Sequence, residues 1–89
     1  MRAIVTVAGK DHVGIIAGVC IALAQNGVNV LDINQTVMQE FLTMNMLVDL
    51  SAATSSFADL VAALDAVGKE LAVSVRIQRE DIFDAMHRI

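Results

Sequence analysis

The chain has 89 residues, enough for one domain, with 56% hydrophobic and only 3% aromatic side chains; this excludes a disordered chain and requires a core of Val, Ile, Leu, Ala and Met. Ten acidic and six basic side chains give a net charge of −4. The six bases (Arg2, Lys10, Lys69, Arg76, Arg79 and Arg88) are scattered, which argues against direct binding to DNA or RNA, where a basic face must displace counterions.

Residues 2–8 alternate as a strand, with Ala3, Val5 and Val7 on one face and Arg2, Ile4 and Thr6 on the other. Lys10–His12 reads as the loop that follows. From Val13 to Gln25 the period becomes helical, and Ile15, Ile16, Val19, Cys20 and Leu23 form one stripe. Asp11 is the expected N-cap, and Asn26-Gly27 the left-handed stop. Residues 28–38 read as a second strand, unusually polar at Asp32, Asn34, Gln35 and Thr36, which suits a sheet edge. Gln39-Glu40 connects it tightly to a third strand over 41–50. There Leu42, Met44, Met46, Val48 and Leu50 alternate with Thr43, Asn45 and Asp49, so one face is buried. After a small-residue loop, Ser56 with Asp59 three residues on resembles a capping box. The helix it starts reaches about Leu71, with Phe57, Leu60, Val61, Leu64, Val67 and Leu71 as its buried stripe. A fourth strand covers 73–79, with Val73, Val75 and Ile77 inward. Residues 80–89 are expected to form a short helical tail bearing Ile82, Phe83, Met86 and Ile89, too short to stand alone.

The order β-α-β-β-α-β predicts an α+β, ferredoxin-like fold. Both helices cover one face of a four-stranded antiparallel sheet, with strands one and three central and strands two and four at the edges. The expected organisation is a domain over 1–79 and a tail over 80–89.

Gly14 stands where the strand pattern gives way to the helix pattern. It has no Cβ, so a ligand can approach the backbone closely, and a first helical turn offers unpaired N–H groups at a positive dipole end. Backbone N–H groups around Val13, Gly14 and Ile15 can serve a carboxylate. Asp11 can offer an oxygen to an ammonium, and the Asn29 amide can serve either group. Charges of both signs so close together suit a zwitterion. Plainer readings compete: Asp11 as a cap alone, Gly14 for close packing of helix on sheet, Asn29 as the end of the turn after Gly27.

Other chemistry is not indicated. Cys20 is the only cysteine and lies in an apolar helical run, as a core thiol does. His12 and His87 share no metal-ligand spacing with it, so no metal is expected. No nucleophile–base pair or phosphate loop is present, so neither an enzyme nor a cofactor is expected. No apolar run approaches the ~18 residues of a membrane span, and the short run after Arg2 is not a secretory leader. A cytoplasmic protein is expected.

The segment Val7–Ile16 and the run Gln25-Asn26-Gly27-Val28-Asn29-Val30 resemble the ACT domain, a small-molecule-sensing module, and the likeness runs from Arg2 to about Arg79. More narrowly, Val-Thr-Val-Ala-Gly-Lys-Asp-His-Val-Gly-Ile-Ile-Ala is similar to small stand-alone ACT proteins related to the glycine cleavage system transcriptional repressor. The resemblance implies an amino acid held between two copies. It would lie between the loop after the first strand of one copy and the start of the second strand of the other. By position, Asp11 matches a polar loop residue used on the ligand, Gly14 the near-obligatory glycine, and Asn29 the polar residue opening the second strand. Nothing carries over to His12, and Val13 stands where enzyme-fused members often have proline. The implied role is regulatory, as a homodimer or a tetramer. The alternative is a ligand-free oligomerisation or protein-interaction module.

Overall fold

The first strand, β1 (Arg2–Lys10), runs through the middle of the sheet, because its apolar face finds partners on both sides. Ala3, Val5 and Val7 are fully buried. They lie opposite Val48, Met46 and Met44 of β3 (Phe41–Asp49), and opposite Arg79, Ile77 and Val75 of β4 (Ser74–Arg79); both pairings are antiparallel. β2 (Asn29–Met38) pairs with the outer side of β3, so the order is β2-β3-β1-β4, with the central and edge strands as expected. The computed structural model describes residues 1–80; apart from Glu80, the expected tail helix lies outside them.

Helices α1 (Ile15–Gln25) and α2 (Phe57–Leu71) close one face of the sheet. Ile15, Val19 and Leu23 of α1, and Leu60 and Leu64 of α2, meet Val5, Met44 and Met46 in one core. Each such large side chain contributes roughly 1.5–3 kcal/mol by leaving water. Ser56 caps α2 as its spacing predicts: its Oγ accepts the Asp59 N–H at 3.1 Å. Phe57, read as buried, is 37% exposed because it opens the helix at the rim of the core. Ile16, also read into the buried stripe, is 41% exposed, Cys20 borders the core rather than fills it, and Val73 precedes β4.

β2 carries a bulge at Leu31. Val30 lies opposite Val48, but Asp32 lies opposite Leu47 and Ile33 opposite Met46. The extra residue switches the strand's parity. Asp32, Asn34 and Thr36 therefore join the open face of the sheet, while Ile33 and Val37 turn toward the helix side. The helices do not reach that far: Ile33 is 43% and Val37 49% exposed. Among the described residues, the edge strand thus shows apolar side chains and an unpaired backbone rim together.

Candidate functional site

β1 is longer than its alternation suggests and includes Gly9 and Lys10. Asp11 then donates its backbone N–H to the Glu40 carbonyl at 2.8 Å, fastening the start of the loop to the β2–β3 turn. This fastening holds Asp11 three positions before the helix cap, too early for its carboxylate to cap the first turn. The N-cap is Gly14, with no side-chain cap, and the helix begins at Ile15 rather than Val13.

Gly14 has φ 99° and ψ −6°, a conformation that L side chains adopt at a cost. A Cβ built there would meet nothing within 4 Å. The glycine therefore serves backbone geometry, not close packing of helix on sheet, and the packing alternative falls. Substituting alanine is expected to destabilise the protein by about 1–2 kcal/mol through φ alone, with asparagine costing less. Urea midpoints of Gly14→Ala and Gly14→Asn check this ranking.

The first helical bond runs from Gly18 N–H to the Gly14 carbonyl, at 2.9 Å. The N–H groups of Ile15, Ile16 and Ala17 consequently have no helical acceptor. Asp11 is exposed and Val13 is 99% exposed, whereas the Ile15 side chain is buried, so Ile15 offers only its backbone to the site. Four of the expected residues, Asp11, Val13, Gly14 and Ile15, thus form one open corner. Asn29 is elsewhere. It pairs with Asp49, which pairs with Arg2 at the opposite end of the nine-residue β1, roughly 27 Å away. One copy does not bring the five residues together. The grooves between α1 and α2, and over Ile4, Asp32 and Asn45 on the open sheet face, involve none of them.

The Asn29 end has its own electrostatics. Asp49 accepts from the Ser51 hydroxyl at 2.6 Å and the Ser51 N–H at 2.9 Å. These bonds, the hydroxyl first, hold its carboxyl below the usual carboxylate range. At the loop end, His12 makes a contact that no local spacing signals. Its Nε2 lies 2.6 Å from the carbonyl of Leu71, 59 residues along the chain. Among the described residues, no group of three or more His, Cys, Asp or Glu side chains could hold a metal ion. No helix among them is long and apolar enough to cross a membrane.

A ferredoxin-like sandwich whose central strand feeds a glycine-initiated helix defines the class, and the chain belongs to the ACT domain family, whose model matches residues 2–78. It is 55% identical to a UPF0237 protein of Clostridium acetobutylicum over 89 residues, all of both chains. An ACT domain protein from Streptococcus pneumoniae superposes with a TM-score of 0.82 at 43% identity, over 93% of each chain. A protein assigned as a glycine cleavage system transcriptional repressor shares the fold, with a TM-score of 0.71 and 23% identity over 88% of this chain and 44% of that one. The resemblance read to that repressor group is present in the fold, while sequence identity is higher to the UPF0237 protein.

Proposed function

We propose that this chain is a cytoplasmic regulatory module, not an enzyme, that binds an amino acid between the subunits of a homodimer. The observation that supports the reading is the separation of Asp11–Ile15 from Asn29, at opposite ends of one sheet. Antiparallel pairing of β2 with β2 of a second copy, in the register that overlaps the two strands along their full length, would set Asn29 of one chain beside Met38 of the other. Met38 adjoins the Gln39-Glu40 turn, to which Asp11 is fastened. The same pairing covers Ile33 and Val37 and closes an open edge. The ligand carboxylate then meets the N–H groups at Gly14 and Ile15, and its ammonium meets Asp11, with Asn29 reaching in from the second copy.

Asp11 opposes the ligand carboxylate as well as attracting the ammonium, so the affinity falls between micromolar and millimolar, about −4 to −8 kcal/mol. Regulation follows when the ligand binds one dimer geometry better than another. A tetramer of two such dimers is compatible with the same site.

Isothermal titration with glycine, serine and the other amino acids tests the reading. One of them should give saturable heat in that range and raise the melting temperature. Absence of both at millimolar concentration defeats the ligand claim, and a dimer that forms without either would indicate an assembly module.

A further inference from the structure

We propose that His12 is a positioning residue, which clamps the loop bearing Gly14 to the C-terminal end of α2. The functional consequence rests on the ligand reading above; the clamp itself rests on geometry alone.

Helix α2 is capped by Ala72, whose φ of 57° and ψ of 41° reverse the chain. In that turn Val73 N–H donates to the Gly68 carbonyl at 2.9 Å, and Ala72 N–H to the Lys69 carbonyl at 3.3 Å. These bonds satisfy earlier carbonyls of the last turn but not that of Leu71, the final helical residue. His12 Nε2 takes this place at 2.6 Å. A carbonyl only accepts, and both ring nitrogens face one; a ring with a single hydrogen gives it to the shorter contact, so Nε2 donates to Leu71. The acceptor lies at the negative end of the helix dipole, where a donor is favoured. The ring's Nδ1 lies 3.1 Å from the Val13 carbonyl, so the imidazole lies alongside the loop it holds.

The loop is thereby pinned at successive residues to two different elements. Asp11 is tied by its backbone to the β2–β3 turn, and His12 by its side chain to α2. The side-chain positions that follow are open: Val13 is almost wholly exposed, and a Cβ at Gly14 would meet nothing. Gly14 is held on its far side by its carbonyl, which accepts from Gly18 N–H at 2.9 Å, so among the described residues the peptide between Val13 and Gly14 is the one that His12 secures. The direction of the peptide N–H at Gly14 is therefore set from α2, an element that contributes no residue to the proposed ligand site, while that of Ile15 is set by the first bond of α1. A ligand that moves the loop must strain the contact to Leu71, and so acts on α2.

The test uses the full chain, labelled with nitrogen-15. In the unmodified protein at neutral pH, long-range proton–nitrogen correlation of the His12 ring should show the hydrogen on Nε2. Backbone order parameters at Val13 and Gly14 should fall from about 0.85 to below about 0.6 in His12→Ala, with Val5 and Met46 unchanged. His12→Gln places a side-chain amide at nearly the reach of Nε2 and should recover at least half of the lost order. A neutral ring with its hydrogen on Nδ1, unchanged loop order in the alanine variant, or a loss that glutamine does not reverse would overturn the clamp. If His12→Ala fails to fold, the ring measurement on the unmodified protein decides. A chain that binds no amino acid would end the ligand reading and leave every one of these readouts intact.

Discussion

Gly27→Ala is expected to destabilise the protein by about 2–5 kcal/mol, from backbone strain and overpacking acting together. Gly27 has φ 72°, already unfavourable for alanine. A Cβ there would also lie 2.5 Å from the Ala52 carbonyl oxygen and 3.3 Å from Thr54. That oxygen belongs to backbone and cannot rotate away, so the loop itself must move. The loop is not loose: Thr54 N–H donates to the Asn26 carbonyl at 3.0 Å, and Ser55 Oγ donates to Asn26 Oδ1 at 2.9 Å. Asn26 in turn donates from Nδ2 to the Ala22 carbonyl at 2.8 Å, so a shift at Gly27 disturbs the end of α1 as well. Urea unfolding measures the loss. Gly14→Ala is the informative control, since it changes φ preference without a clash; equal losses at the two positions would show that Ala52 yields at no cost.

The double substitution Ile33→Lys and Val37→Lys is expected to turn the proposed dimer into a monomer and abolish the ligand heat that the proposal requires, with the fold of each chain retained. Both side chains are more than 40% exposed in the single copy, so replacing them costs the monomer little. Across an antiparallel β2–β2 seam the same lysines bring like charges into close apposition and remove the apolar surface that would be covered. Sedimentation velocity gives the assembly state and circular dichroism the fold. A double variant that still sediments as a dimer would remove β2 as the interface and, with it, the route by which Asn29 reaches the Gly14 corner.

The core was legible because its pattern is clean. Val5 and Val7 alternate on β1, and Met44 and Met46 on β3, without interruption, and all four are fully buried. The helix of Ser56 was legible from its cap. The start of α1 was not, since Asp11 has the right side chain for a cap, and only the backbone bond to Glu40 places it too early. The bulge at Leu31 did leave a trace: apolar residues fall on even positions at Val28 and Val30, then on odd ones at Ile33 and Val37. A change of parity within one strand is the mark of an inserted residue. The candidate site was half legible. Asp11 to Ile15 are neighbours in sequence, but the distance to Asn29 follows from strand direction and sheet order, and the contact of His12 with Leu71 from tertiary folding alone.

The central place of β1 has a consequence for synthesis. Of the four strands of this sheet β1 is synthesised first, and it finds its partners at residues 41–49 and 74–79. A nascent chain must therefore hold the apolar face of β1 without its partner on one side until β4 has emerged, and completion of the sheet is deferred to that moment. Stalling translation within β4 should leave a chain that chaperones recognise, whereas one longer by a tunnel's length should escape them.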